Sequence, residues 1–292
     1  MTRTDVIALR PPILSQGLRT VLLASLCFGS MAVCVGLASR EMPSSQVAFF
    51  RFLGSFAVML AATRGRGLRV QPGNLLPVVL RGLVGALAVV LYFIGIGAIG
   101  PGLATLIQNT YPIFASIFAA FFLGERLSGR LGVALGLNVV GVAVIALGPD
   151  THLGSRLTLG VLSSAASAVL AGTAVTAVRH LRRSESASLI TTWFMGIAAL
   201  ATLPTLLSGL PPITPSLVAA LLGVIVTSIT GQWLLHHGLG FTTAAQGSLA
   251  AASNVLVATL LGALVTGEAL TTSMFAGGTL MFGAIVLASR AR

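Results

Sequence analysis

Nine polar or aromatic side chains interrupt apolar stretches of this 292-residue sequence, and each could bind a small molecule. Arginine presents a planar fork of donors that suits a carboxylate, amides and hydroxyls form hydrogen bonds, and aromatic rings offer flat apolar walls. Residues three or four apart share a helix face, so we expect Gln108 to align with Tyr111 and Gln232 with His236. The candidate binding residues are Arg51, Tyr92, Gln108, Asn109, Tyr111, Gln232, Trp233, His236 and Asn254.

Covalent or cofactor chemistry has little support in the sequence. The pair His236 and His237 has no nearby carboxylate, and no Gly-Lys-Ser/Thr phosphate loop is present. We therefore predict a protein that is not an enzyme, with no catalytic residue, no metal site and no cofactor. A structural interpretation stays open for the polar residues, because Arg51 could bond helix carbonyls and the amides could bond neighbouring helices.

The composition indicates how these side chains are positioned. The chain is 55% hydrophobic and only 8% charged, whereas soluble domains carry roughly 25% charged residues. Runs such as residues 133–147 do not alternate as barrel strands do, so the sequence predicts an all-α integral membrane protein. We expect ten transmembrane helices, centred near Phe28, Gly54, Leu87, Ile113, Leu137, Ala168, Ala198, Ile225, Asn254 and Met281.

The formal charge of +11 is carried by arginines that gather at one set of loops. With both termini in the cytoplasm, the opposite loops hold only Arg40 and Arg156, while Arg81 lies around the second cytoplasmic loop. The charge is then a topology signal rather than a nucleic-acid footprint. We predict a multi-pass, monomeric protein of a bacterial inner (cytoplasmic) membrane whose partners are a small-molecule substrate and membrane lipid, with no nucleic acid.

An internal repeat relates the two halves of the chain by a shift of 143 residues. Each half holds five predicted helices, an odd number, so the second half must enter the membrane from the opposite side. The sequence predicts two inverted five-helix repeats over residues 17–148 and 157–290, with a cytoplasmic tail at 1–16 and a linker at 149–156. The shift superposes the motif that begins at Gly124-Glu125 on the one that begins at Gly267-Glu268.

Several short motifs carry a family resemblance. Phe28-Gly29, Arg51-Phe52 and the fourth predicted helix, from Tyr111-Pro112 through Gly124 to Ser128, resemble the EamA branch of the drug/metabolite transporter superfamily over about residues 17 to 290. The resemblance implies a ten-helix transporter, often an exporter of amino acids or related metabolites, with a central cavity shared by both halves. Phe194 stands at the repeat position of Arg51, and Val255 at that of Pro112, which makes any site there asymmetric.

The substrate class follows from the charges that the membrane stretches lack. No basic ring suits a nucleotide sugar, and no acid suits a polyvalent cation, so a neutral or zwitterionic metabolite fits best. Tyr92, Tyr111 and Trp233 could hold large side chains, as in similar exporters that carry aromatic amino acids. Every acid lies in a terminus, a loop or a helix end, which favours facilitated transport over proton coupling. Multidrug efflux by proton antiport and a non-transporting scaffold or sensor are the alternatives.

Glycine pairs near the ends of the third and eighth predicted helices could bend as the transporter alternates between its two open states. The hinge candidates are Gly95, Gly97, Gly238 and Gly240. Tight helix packing explains the same glycines equally well, because small residues let helices approach closely.

Overall fold

The structure is a computed structural model that describes residues 16–123, 129–146, 155–239, 253–267 and 270–289. Those residues form eleven α-helices, with a 3₁₀ turn at Leu203–Ser208 and a π-helical turn at Gly262–Thr266. The α-helices are α1 Gln16–Ala38, α2 Ser44–Thr63, α3 Leu75–Ile99, α4 Pro101–Gln108, α5 Tyr111–Leu123, α6 Gly129–Ala146, α7 Ser155–Leu181, α8 Ala187–Thr202, α9 Pro215–Leu239, α10 Asn254–Leu261 and α11 Thr272–Ser289.

Membrane-length helices dominate the described part of the chain. Six of them are long and apolar enough to cross a bilayer, and all ten predicted centres lie within described helices. Large apolar side chains also face outward: on α3, Leu76 is 66% exposed and Leu87 is 51% exposed. Lipid, rather than water, stabilises such a surface. The six spans are Arg19–Ala38, Ser44–Thr63, Leu75–Ile99, Ser155–Val178, Ala187–Ser208 and Pro215–Leu235.

The fourth predicted helix is interrupted, which the sequence analysis did not anticipate. It forms α4 and α5, separated by a turn at Asn109 and Thr110. Pro112 has no amide hydrogen and cannot donate to the carbonyl four residues earlier, so the regular helical ladder is broken there. The expected alignment of Gln108 with Tyr111 on one continuous helix face is therefore wrong, because the two residues belong to different helices.

The helix bounds follow the 143-residue repeat. Shifting α5 by 143 positions gives residues 254–266, the span of α10 with its π-helical turn, and shifting α6 gives 272–289, the span of α11. The packing repeats as well, since α1 packs against α9 while the corresponding α7 packs against α3. Among these described helices, the two halves therefore share both helix bounds and neighbours.

Glycine contacts reproduce the repeat at the level of single residues. A Cβ placed on Gly29 in α1 would lie 2.5 Å from Val257 Cβ in α10. A Cβ placed on Gly172, the repeat position in α7, would lie 2.7 Å from Phe114 Cβ in α5. Phe114 is itself the repeat position of Val257. Both glycines thus allow the same close helix approach in the two halves.

A reciprocal pair of contacts shows how α2, α3, α8 and α9 meet. A Cβ on Gly54 in α2 would lie 2.5 Å from Ile225 Cδ1 in α9, and a Cβ on Gly82 in α3 would lie 2.8 Å from Ile197 Cβ in α8. The 143-residue shift relates Gly54 to Ile197 and Gly82 to Ile225. Each contact therefore pairs one glycine with one isoleucine, but the glycine is on the opposite partner in the other half. At the neighbouring contact Arg51 of α2 meets Ser228 of α9. The bond from Thr214 to Glu41 brings the starts of α2 and α9 together, so these two helices run parallel.

The hydrophobic core lies among α1, α2, α3, α8 and α9. Phe52, Phe93, Met195 and Leu217 are at most 1% exposed there. Phe52 and Phe194 meet edge to face, with ring centroids 5.6 Å apart. This aromatic contact joins α2 to α8, the two helices that the repeat relates.

Candidate functional site

Arg51 lies in the middle of α2 and points into the bundle, where it is only 5% exposed. Its Nε donates to Ser228 Oγ of α9 over 2.8 Å. Its guanidinium lies over the rings of Phe52 and Phe93, at 5.3 and 5.5 Å from their centroids. The described residues supply no hydrogen bond to Nη1 or Nη2 and no carboxylate partner, so the charge is only partly compensated.

A hydrogen-bonded chain from α3 to α4 lies beside this arginine. The ring of Tyr92 lies 5.9 Å from the ring of Phe93, over which the Arg51 guanidinium lies. The Tyr92 hydroxyl meets Thr105 Oγ1 at 2.6 Å, and Asn109 Nδ2 donates to the Thr105 carbonyl over 2.8 Å. The structure thus brings three predicted residues, Arg51, Tyr92 and Asn109, into one polar region.

Three further candidates, Gln108, Tyr111 and Asn254, lie at helix ends. Gln108 ends α4 and Tyr111 begins α5, and both are half-buried. Asn254 begins α10, and its Oδ1 is buried without a hydrogen-bond partner. An unsatisfied buried amide is costly, so this oxygen marks a place where a ligand donor would stabilise the protein.

A cavity of about 240 Å³ lies between the ends of α2, α8 and α9. Gln232, Trp233 and His237 line it from α9, together with Ser55 of α2 and Thr191 of α8. Trp233 is 65% exposed and stacks on His237, with ring centroids 5.6 Å apart. Of the predicted α9 residues, Gln232 and Trp233 line this cavity, while the side chain of His236 lies outside the described part of the structure.

The inner end of this cavity leads to Arg51. Ser55 and Gln232 line the cavity, and Arg51 and Ser228 precede them by four residues on α2 and α9. Four residues are about one helical turn. The hydrogen bond between Arg51 and Ser228 therefore lies about one helical turn beyond these two lining residues, deeper in the bundle.

The repeat counterpart of the cavity is filled. Shifting its lining by 143 residues gives positions in α2, α3 and α8 at the opposite end of the bundle. Ala48, Phe52 and Ala198 are fully buried there, and Ala86 is 3% exposed. These four counterpart positions are therefore packed, and a separate cavity of about 390 Å³ lies beyond them, among the end of α1, the end of α3 and the start of α4.

Arg81, expected around the second loop, lies inside a helix and contacts an aromatic ring of another helix. It is the seventh residue of α3, and its guanidinium lies 4.2 Å from the centroid of the Phe194 ring. Nε and Nη1 are buried without a hydrogen-bond partner. The sequence signal that was missed is Gly85, one turn later, since a Cβ there would overlap Arg81 Nη1.

The hinge candidates that the structure describes are closely packed. Gly95 and Gly97 lie inside α3, where a Cβ on Gly95 would overlap Ser164 Oγ and a Cβ on Gly97 would lie 2.5 Å from Ser44 Oγ. Gly238 lies in the last turn of α9, and Gly240 is outside the described residues. Close packing accounts for the first pair, and their bending stays a prediction.

Carboxylates in the described ranges lie at helix ends. Glu41, between α1 and α2, accepts a hydrogen bond from Thr214 Oγ1, ahead of α9. That bond, followed by one from Ser216, lowers the pKa of Glu41 below its ordinary value. At the other end of the bundle, Glu185 Oε1 accepts from Asn74 Nδ2 over 2.8 Å. Neither acid compensates the buried arginines.

Comparison with known proteins gives matches along almost the whole chain. The EamA-like transporter family matches residues 15–147 and again residues 158–290. Pseudopaline exporters CntI of two Pseudomonas aeruginosa strains are 27% identical over 281 residues, which cover 96% of this chain and 98% of theirs. An uncharacterized transporter of Archaeoglobus fulgidus is 25% identical over 277 residues, 94% of this chain and 96% of the relative. A solved crystal structure with 22% identity has a TM-score of 0.65 over 93% of this chain and 96% of its own, and so shares the fold.

Proposed function

We propose a transport function from the premise that the chain belongs to the EamA-like transporter family, which matches both halves. The protein is a multi-pass membrane protein, and its similarity to pseudopaline exporters supports export. It exports small zwitterionic metabolites, amino acids with large or aromatic side chains among them. The two repeats are inverted, ten helices span the membrane, and transport is facilitated rather than proton-coupled.

One observation carries the mechanism: the cavity between α2, α8 and α9 is open, whereas its repeat counterpart is filled. If the two halves exchange their conformations, the cavity closes and the counterpart opens at the other end of the bundle. The substrate is then exposed to each side in turn. This exchange is alternating access.

The distribution of charge supports the direction of loading. The loop after α2 and the turn between α7 and α8 lie at the end that holds the cavity, and both are rich in arginine. Under the positive-inside rule this end faces the cytoplasm. A cavity open there accepts its substrate from inside the cell, as an exporter requires. The arginines of these two connections are Arg64, Arg66, Arg69, Arg182 and Arg183.

The size and chemistry of the cavity support a small metabolite over a lipophilic drug. Its volume of about 240 Å³ is below the roughly 300 to 1,000 Å³ of drug-sized sites. Arg51, one turn beyond, can bind a carboxylate through the Nη groups that its bond to Ser228 leaves available. Trp233 provides an apolar wall at the mouth.

Facilitated transport is supported by the positions of the acids. None of the described helices contains Asp or Glu, whereas proton relays in membranes commonly use such residues. The test is flux of radiolabelled amino acids through proteoliposomes of the purified protein, with and without a pH or sodium gradient. We expect flux down the substrate gradient without either ion gradient. Strict dependence on a proton gradient would refute the uniport, and no flux of any of the twenty amino acids would refute the proposed substrates.

Thiol labelling tests alternating access separately. In a background with Cys27→Ser and Cys34→Ser, Thr191→Cys should react with a membrane-impermeant reagent from the cavity end, because Thr191 lines the cavity. Ala48→Cys, at the counterpart position and fully buried, should react only from the opposite end and faster with substrate present. Labelling of both positions from one end would contradict the exchange.

A further inference from the structure

Arg81 adopts a conformation that an ordinary interfacial arginine avoids. It lies roughly 9 Å along α3 from Leu75, at about 1.5 Å per residue. An arginine at this depth normally extends its side chain outward to reach the membrane surface. Arg81 instead extends toward the middle of the bundle, over Gly85, and leaves Nε and Nη1 buried without hydrogen bonds.

The position of its guanidinium has a counterpart in the other half. The repeat relates the contact between Arg51 and Ser228 to the contact between Phe194 and Gly85. Phe194 Cε2 lies 2.8 Å from an ideal Cβ on Gly85, and the guanidinium of Arg81 lies against the same two residues. A guanidinium therefore occupies the equivalent place in both halves, although it comes from α2 in one and from α3 in the other.

The aromatic contact between Phe52 and Phe194 lies between the two cations. Arg51 lies over Phe52, and Arg81 lies over Phe194. No Asp or Glu is found in any described helix to neutralise either charge. Two buried cations without an anion favour a ligand that supplies one.

We propose that Arg81 is a second carboxylate-binding residue of the transport path, which replaces Arg51 when the cavity opens at the opposite end. The proposal rests on the proposed function and deepens it. In the present state Arg51 lies at the inner end of the open cavity. In the exchanged state the opened counterpart cavity ends at Phe194 and Gly85, where Arg81 presents its guanidinium. The substrate must then carry a carboxylate. This carboxylate binds Arg51 when the substrate enters from the cavity end and Arg81 when it enters from the opposite end.

A purely structural role is the competing explanation. Arg81 could stabilise the contact of α3 with α8 through its cation–π interaction with Phe194. A structural role predicts lower stability and equal effects on transport from both sides, whereas a binding role predicts an effect from one side. Sidedness therefore separates the two explanations.

Four variants make this comparison. Arg81→Gln removes the charge, and Arg81→Lys keeps it without the planar fork. Gly85→Ala keeps the arginine but displaces its guanidinium, because the new Cβ would overlap Nη1. Gly136→Ala is the matched control, since a Cβ on this α6 glycine meets nothing within 4 Å.

The experiment measures the KM for L-phenylalanine from each side of oriented proteoliposomes, with L-phenylalaninamide as a probe that lacks the carboxylate. Arg81→Gln and Gly85→Ala should raise the KM from the end opposite the cavity by about tenfold, the loss of one charged hydrogen bond, and change it less than about threefold from the cavity end. Arg51→Gln should show the reverse pattern. Arg81→Lys should lie between, and Gly136→Ala should match the wild type.

The outcomes distinguish this inference from the proposed function. If the wild type carries L-phenylalanine but Arg81→Gln and Gly85→Ala change both KM values equally or neither, Arg81 is structural and the inference is overturned. Equal transport of L-phenylalaninamide by the wild type also overturns it, because no carboxylate is then needed. No flux of L-phenylalanine or of any other amino acid refutes the proposed function instead.

Discussion

Exchanging the partners of the Gly54–Ile225 contact tests the repeat geometry most directly. In the other half the corresponding pair is Ile197 and Gly82, so the fold already accommodates isoleucine where α2 has glycine. We predict that Gly54→Ile and Ile225→Gly each destabilise the protein, and that the double variant recovers most of the loss. The recovery arises because isoleucine from α2 fills the space that Ile225 leaves in α9.

The magnitudes follow from the contacts. A Cβ alone on Gly54 would lie 2.5 Å from Ile225 Cδ1 and 2.9 Å from Cγ1, so Gly54→Ile overpacks the contact at a cost of about 3 kcal/mol. Ile225→Gly loses a half-buried side chain and places glycine in a helix, together also about 3 kcal/mol. The double variant should lie within about 1.5 kcal/mol of the wild type, a favourable coupling of several kcal/mol.

Reversible unfolding of the purified protein in mixed micelles measures the four members of this cycle. Gly136→Ile on α6 is the control, because its new side chain meets open space and should cost little. Additive single effects, within about 0.5 kcal/mol, would refute the reasoning. They would mean that the two contacts are not equivalent under the repeat, despite their matching positions in the sequence.

Three further predictions concern single sites. The hydrogen bond from Thr214 lowers the pKa of Glu41 in the folded protein, so the ionised carboxylate stabilises the fold. This stabilisation is complete above the unfolded pKa of about 4.3 and is lost as the pH falls through the lower folded pKa. Glu41→Gln should therefore make the thermal stability depend less on pH between about pH 3 and 6. Ser228→Ala should lower the free energy of unfolding by about 1.5 to 3 kcal/mol, because Arg51 loses its charged hydrogen bond, and an unchanged value would show that water replaces the hydroxyl. Pro112→Ala should join α4 to α5 and increase amide protection at the turn between them in hydrogen exchange; unchanged protection would mean that tertiary packing, not the proline, breaks the helix.

Much of the architecture could be predicted because it depends on composition and periodicity. Apolar length predicted the helix centres, and the predicted 143-residue repeat accounts for the matching bounds of α6 with α11 and of α5 with α10 and its π-helical turn. The interruption after Gln108 was missed, although Pro112, to which we attribute it, is visible in the sequence. A proline near the start of a helix is tolerated, so its presence alone does not say whether a helix begins there or continues.

The candidate site was harder to predict because side-chain direction is not encoded in helix boundaries. Arg81 was grouped with the arginines around the second loop, and it does lie within two turns of the start of α3, but its inward direction was not predicted. What brings it inward is the combination of Gly85, which leaves room, and Phe194, which offers a ring face from another helix. The second condition requires knowing that α3 packs against α8.

The mismatch of Arg51 with Phe194 had suggested that the substrate site is asymmetric. The structure changes the meaning of that mismatch, because Arg81 supplies from α3 the charge that α8 lacks. A guanidinium can therefore occupy equivalent positions in the two halves although it belongs to an arginine of α2 in one half and of α3 in the other. If both arginines bind substrate as proposed, one cation on each side of a symmetric scaffold would give a carboxylate similar binding in the two open states of the proposed mechanism. A uniporter benefits from this equality, since a substrate held much more tightly on one side would be slow to leave it.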